Sequence, residues 1–196
     1  MINLFLKAKH WQLFLLLIGV PILFQMYVII TMFSDLGTHS GPNYMIDLFD
    51  IFPFVMIFFM MVFFGWFWSI VFGLHRQIPP ELKLNTGRFK IFFFFPLIYM
   101  ILFMINMSGI ILGRGIPGFE LGEMSIAIII PLHLFSMFCI FYVMYFVAKT
   151  IRTAELGRKV GFGDYAGEFF LLWIYFVGVW IIQPKVNRLA EKNNPN

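Results

Sequence analysis

Three polar side chains stand out within long apolar stretches of this sequence: Gln25, Asn106 and His133. At about 1.5 Å per helical residue, each lies roughly 4–6 Å to the same side of the middle of its stretch. Polar groups in lipid are costly without partners, so we expect the three side chains to converge inside a helix bundle. Such a layer predicts either hydrogen bonds between helices, which we favour, or a site for a substrate or proton centred on His133.

Groupings typical of catalysis are missing from the sequence. It contains no Ser/His/Asp or Cys/His arrangement, no HExxH motif and no P-loop, and its long apolar stretches hold no carboxylates. The single cysteine, Cys139, excludes a disulfide framework and a cysteine-based zinc site, and we expect it to pack as a small apolar residue. We therefore predict no catalytic residue and no cofactor.

Acidic residues gather in two of the connections between apolar stretches, and carboxylate oxygens are ligands that divalent cations prefer. Their spacing does not match a calcium-binding loop, so we predict no metal site. The residues concerned are Asp35, Asp47, Asp50, Glu120 and Glu123, with His39 nearby.

The composition indicates which class of fold positions these residues. Of the 196 residues, 61% are hydrophobic and only 12% are charged, whereas an average soluble domain is about one-quarter charged. A soluble domain of this size could not cover so much apolar surface, and disordered chains are poor in apolar residues. The sequence therefore predicts a single integral membrane domain over residues 1–196.

Four stretches are long enough to cross the hydrocarbon layer as helices, which takes about 20 apolar residues. They are residues 11–34, 51–74, 91–113 and 124–148, and none contains Asp, Glu, Lys or Arg. Period-two alternation is absent, so helices satisfy the backbone in lipid. We predict an all-α polytopic membrane helix bundle of four transmembrane helices plus a short fifth hydrophobic segment.

That fifth segment, residues 169–184, would reach only about 24 Å as a helix, short of a full crossing. If it does not cross, all of the 14 lysine and arginine residues except Arg114 share one side. A crossing would move the tail, residues 185–196, to the side of Arg114. The positive-inside tendency therefore favours four spans, with both termini in the cytoplasm, over five.

Local signals set some helix ends. Good helix formers precede Gly157, so we expect the fourth helix to project past the membrane and stop there, with an Arg152–Glu155 pair on its surface. Asp164 is placed to cap the next helix. Prolines interrupt the spans, and Pro53 is expected at a helix start, where proline is tolerated.

Two parts of the sequence resemble a known group of proteins. They are HRQIPPELK at residues 75–83 with RFK at 88–90, and FGDYAGEFFLLW at 162–173 with WIIQPKVN at 180–187. These segments are similar to parts of small multi-span membrane proteins of Bacteroidetes-type bacteria, a group with no assigned activity. The resemblance implies a location in the bacterial inner membrane.

These observations favour a non-catalytic membrane protein that acts as an accessory or assembly subunit. The alternative is a small transporter or channel that uses the layer of Gln25, Asn106 and His133, and a membrane enzyme ranks third. The expected partners are the lipid bilayer and either another membrane protein or further copies of this chain. We expect no nucleic-acid partner.

Overall fold

The computed structural model describes residues 2–35, 43–111 and 123–191, and within these ranges it contains helices and no strand. A π-helical stretch, Leu15–Gly19, joins the second and third helices, and a short 3-10 turn, Pro80–Leu82, lies between the fourth and fifth. The eight α-helices are α1 (Ile2–Lys7), α2 (His10–Phe14), α3 (Val20–Asp35), α4 (Asn43–His75), α5 (Thr86–Ile111), α6 (Glu123–Leu156), α7 (Phe162–Trp173) and α8 (Tyr175–Glu191).

Four helical stretches in the described ranges are long and apolar enough to cross a membrane: His10–Thr31, Ile51–His75, Thr86–Asn106 and Ala127–Leu156. They differ sharply in how much of each packs inside the chain. Burial of the most apolar part is 44% in the second and 11% in the first. The first span is therefore attached to one side of a bundle built by the other three.

Helix α4 is the centre of this bundle, because it packs against α1, α3, α5, α6 and α8. Its large side chains Trp66 and Phe67 are fully buried. Across the bundle, Phe89 of α5 stacks on Phe146 of α6 with ring centroids 4.9 Å apart. Aromatic packing of this kind supplies the dispersion contacts that hold helices together where lipid gives no hydrophobic driving force.

The described helices contain prolines at Pro21, Pro53, Pro96, Pro131 and Pro184. The π-helical stretch ends two residues before Pro21, and Val20 N–H bonds to Leu15 O, five residues back. A proline cannot donate to the preceding turn, and a π-bulge is one way in which a helix accommodates that loss. The expectation for Pro53 is wrong, because α4 begins at Asn43 and Pro53 lies inside it. Polar residues before Pro53 interrupt the apolar stretch, so the apolar pattern did not predict that the helix begins at Asn43.

The end of α6 follows its local sequence. The helix ends at Leu156, and Gly157 has a φ of +60°, a left-handed conformation that glycine adopts without steric cost. Gly157 N–H bonds to Thr153 O at 2.9 Å, which closes the helix C-terminus. The stop predicted at Gly157 is confirmed, and so is the ion pair between Arg152 and Glu155.

The fifth hydrophobic segment is divided into two helices by a single residue, Ile174, with φ −90° and ψ 59°. Helices α7 and α8 then pack on each other. A straight helix would separate Glu168 and Lys185 by about 25 Å. Instead, Lys185 Nζ lies 2.8 Å from Glu168 Oε1, so the chain doubles back at Ile174. We call α7 and α8 the C-terminal hairpin.

Candidate functional site

The three polar residues predicted from the sequence do not form one interior layer. The side chains of Gln25 and His133 are exposed, and that of Asn106 is half-buried. Helix α3 packs chiefly against α4 and the π-helical stretch, so Gln25 is kept apart from the α5–α6 pair that carries the other two. A binding role for these residues stays a prediction.

His133 has a different neighbour from the ones expected. Tyr99 of α5 places its hydroxyl 3.4 Å from His133 Nδ1, which is the long end of a hydrogen bond, and the two rings lie edge to face. Tyr99 itself is buried. The sequence offered one signal for this contact, since Tyr99 and Asn106 lie two helical turns apart on one face of α5.

Gln183 of α8 is the most completely bonded side chain in the described part of the protein, and the sequence analysis missed it. It is fully buried, and its Oε1 accepts a hydrogen bond of 2.8 Å from the indole N–H of Trp66 on α4. Its Nε2 donates to the backbone oxygens of Phe5 and Ala8 at 2.8 and 2.9 Å, and approaches Asn187 Oδ1 at 2.7 Å. One amide thus joins the C-terminal hairpin to α4 and to the N-terminal segment.

Asn187 and Trp180 extend this junction along α8. Asn187 Nδ2 donates to Ala8 O at 3.1 Å. The ring of Trp180 lies against His10 and Phe14 of α2, with centroids 4.7 and 5.3 Å apart. The signal available in the sequence was Gln183 itself, the polar residue just before Pro184 at the end of the fifth apolar segment.

Charged residues gather where α6, α7 and α8 come together, and we call this group the ion-pair cluster: Arg152, Glu155, Glu168 and Lys185. Lys185 Nζ lies 2.6 Å from Glu155 and 2.8 Å from Glu168. Arg152 pairs with Glu155 and lies 3.7 Å from Glu168. The Lys185 and Glu168 side chains are only 15% and 12% exposed, so solvent screens their interaction weakly. Because each carboxylate has cationic partners, the cluster links α6, α7 and α8 at one point.

The turn before α7 is closed by Asp164. Its carboxylate accepts a hydrogen bond of 2.9 Å from Gly161 N–H and forms two bonds with the Arg158 guanidinium, at 2.8 and 3.2 Å. The bonds from Arg158 and then from the Gly161 backbone lower the pKa of Asp164 below its ordinary value. The prediction for Asp164 is right only in part, because Gly161 is the N-cap residue and Asp164 lies inside α7, at its third position. From there its carboxylate bonds to the N-cap backbone, and the second half of a capping box is absent because Gly161 has no side chain.

In the portion of the chain that the structure describes, no three His, Cys, Asp or Glu residues lie together in a way that could hold a metal ion. Of the acidic residues considered in the sequence, Asp35 lies in α3, Asp47 and Asp50 lie in α4, and Glu123 begins α6, whereas Glu120 and His39 lie outside the described residues. Cys139 is buried, as predicted from its type.

Over the residues that the structure describes, the fold is therefore a helical bundle in which four helices are long and apolar enough to cross a membrane. Comparison with protein-family models, with curated proteins and with solved structures finds no match to this chain.

Proposed function

We propose that this chain is a non-catalytic integral membrane protein of the bacterial inner membrane, with its N-terminus in the cytoplasm. Its role is that of an accessory or assembly subunit that binds another membrane protein through α3. The observation that carries this proposal is the outward position of Gln25 on the least buried of the four candidate spans.

A glutamine on the outside of a span is costly in lipid. The carboxamide has two N–H donors and an acceptor oxygen, and hydrocarbon offers none of them a partner. The side chain of Gln25 makes no hydrogen bond with any residue that the structure describes. A helix of a second protein would satisfy the amide, because polar side chains bond across transmembrane helix contacts.

Exposed isoleucines flank Gln25 on the same face of α3. Ile22 and Ile29 lie one turn on either side of Gln25 and are 52% and 43% exposed. Leu23 and Ile30 lie on the opposite face of α3 and are 68% and 62% exposed. Both faces are therefore accessible, and only one of them carries the amide.

Site-specific photo-crosslinking in native membranes tests the proposal. A photoreactive residue at Ile22 or Ile29 should form an adduct with a protein of defined mass, whereas the same group at Leu23 or Ile30 should react with lipid. Adding Gln25→Leu should weaken the Ile29 adduct about threefold to thirtyfold, as expected from losing ~0.6–2 kcal/mol of interhelical hydrogen bonding. Equal adducts from both faces, or none from either, would contradict the proposal.

A further inference from the structure

A cavity of about 270 Å³ opens at the end of the bundle where α4 finishes, α5 begins and α6 finishes. The 3-10 turn forms one wall of it, and the last turns of α6 with the following loop form the other. His75 ties the first wall to α4, because its Nε2 lies 3.0 Å from Leu84 O. The cavity is lined by Glu81, Leu82, Lys83, Leu84, Lys149, Thr153, Lys159 and Val160.

Three lysines and one carboxylate, that of Glu81, line this cavity. Lys83, Lys149 and Lys159 form no ion pair with any residue in the described ranges. The nearby carboxylates of Glu155, Glu168 and Asp164 already have Arg or Lys partners. Three lysine side chains that line one small cavity concentrate positive charge there, so an anion inside it would lower their mutual repulsion.

Lys149 is held in position for such an anion. Its Nζ donates a hydrogen bond to the Tyr145 hydroxyl oxygen at 3.2 Å, and it lies 5.6 Å from the centroid of that ring. Tyr145 in turn packs edge to face on buried Tyr165 of α7. Two N–H donors of the ammonium group remain for a ligand, because a lysine has three.

The remaining lining indicates which kind of anion fits. Leu82, Leu84 and Val160 make part of the cavity apolar, which suits a ligand with a hydrocarbon portion next to its charge. The volume lies just below the range of about 300–1,000 Å³ typical of small-molecule sites, so a lipid headgroup fits better than a nucleotide. Basic pockets between transmembrane helices on the cytoplasmic side are suited to anionic headgroups.

We propose that Lys83, Lys149 and Lys159 form a binding site for the phosphate group of an anionic lipid at the basic end of the bundle. The lysines act as point charges toward the phosphate oxygens, and the Glu81 carboxylate can accept a hydrogen bond from a headgroup hydroxyl. This site lies apart from the Gln25 face of α3, so each proposal can fail without the other.

Native mass spectrometry of the full chain in mild detergent tests this site with phosphatidylglycerol and phosphatidylcholine as probes. Lys83→Gln and Lys159→Gln change exposed side chains and should leave the fold intact. Each should weaken phosphatidylglycerol binding about fivefold, and the double variant should weaken it further. Lys90→Gln is the matched control, because Lys90 is also exposed near the start of α5 but does not line the cavity.

Three results would overturn the proposal. The first is a double variant that binds phosphatidylglycerol as the unchanged protein does. The second is an equal loss in Lys90→Gln, which would indicate general attraction to the basic surface. The third is displacement of phosphatidylglycerol by millimolar inorganic phosphate, with the same dependence on the lysines. That result would show that the ligand is a soluble phosphate compound and not a lipid. The proposal expects inorganic phosphate to leave lipid binding unchanged and phosphatidylcholine to bind without dependence on Lys83 or Lys159.

Discussion

The indole N–H of Trp66 donates a hydrogen bond of 2.8 Å to Oε1 of Gln183, a residue 117 positions further along the chain. Both side chains are fully buried. Since the same glutamine also bonds to the backbone of Phe5 and Ala8, the first and last helices of the described chain are held to α4 at one point. Loss of this amide should therefore loosen both ends of the bundle together.

The first prediction concerns Gln183→Leu. The leucine fills a similar space but removes the partner of the Trp66 N–H and of the Phe5 backbone oxygen, whereas Ala8 O keeps its bond from Asn187. This loss should cost about 1–3 kcal/mol of unfolding free energy. Unfolding followed by Trp fluorescence in detergent measures the loss. Gln77→Leu is the control, because Gln77 is half-buried and its side chain makes no hydrogen bond with the described residues. Equal stability of the two variants would contradict the prediction.

The second prediction concerns the pair of Lys185 and Glu168. Because both side chains are mostly buried, a double-mutant cycle with Lys185→Met and Glu168→Gln should give a coupling free energy of about 1–3 kcal/mol. The cycle with Arg158→Met and Asp164→Asn should give a smaller value, since the Arg158 side chain is 58% exposed. Similar coupling in the two cycles would show that burial does not strengthen the first pair.

Local features of the fold could be predicted from the sequence because each depends on a few neighbouring residues. The stop at Gly157 and the pair of Arg152 with Glu155 are of this kind. The depths of Gln25 and His133 along their helices also follow from counting residues. Their outward direction does not, because α3 and α6 are apolar on nearly every face and the pattern gives no preferred inward side.

Contacts between segments that are distant in the chain could not be predicted, because the local pattern does not show which helices pack together. The bond between Trp66 and Gln183 depends on packing of helices that are far apart in the chain. The reversal at Ile174 has neither glycine nor proline at the break, so no local signal marked it. The cavity lined by lysines also needs two separate segments, the 3-10 turn and the end of α6, to meet.

The third prediction is a pH dependence from Asp164. Its pKa is lower in the folded chain than its ordinary value of 3.8, so the unfolded chain takes up the proton first as the pH falls. The stabilisation is complete at neutral pH, declines as the pH falls through 3.8, and is lost below the lowered pKa. Melting temperatures of the unchanged protein and of Asp164→Asn should therefore differ at neutral pH, and the difference should shrink as the pH falls below 3.8. A difference that persists at the lower pH would contradict this assignment.

The fourth prediction concerns which side of the membrane the tail occupies. Lys185 pairs with Glu155 at the end of α6, so we expect the loop after α6 and the end of α8 to share one side. Single cysteines at Lys159 and Arg188, on a Cys139→Ala background, should both react with an impermeant thiol reagent in inside-out vesicles and stay unlabelled in intact cells. Reporter fusions at residue 196 and near Gly41 should report opposite compartments. Labelling of the Arg188 position from outside would show that residues 169–184 cross.

The last prediction concerns the close contact inside the C-terminal hairpin. A Cβ atom added to Gly178 would lie 1.8 Å from the backbone oxygen of Leu171, a distance that no side chain can occupy. Ile174 fixes this contact, since its N–H bonds to Phe170 O and its own oxygen accepts from Gly178 N–H, both at 2.9 Å. Gly178→Ala must therefore push α7 and α8 apart.

Separation of these helices should disturb what the hairpin holds together, namely the pairs of Lys185 and the junction at Gln183. We expect Gly178→Ala to lower the melting temperature and to increase hydrogen exchange at backbone amides of α8. Gly163→Ala is the matched control, because Gly163 lies in α7 with no atom near its added Cβ, and there alanine should stabilise the helix by about 0.4–1 kcal/mol. The two substitutions add the same methyl group, so opposite effects on stability would locate the constraint at the contact with Leu171. Equal effects would show that α7 and α8 do not approach each other this closely.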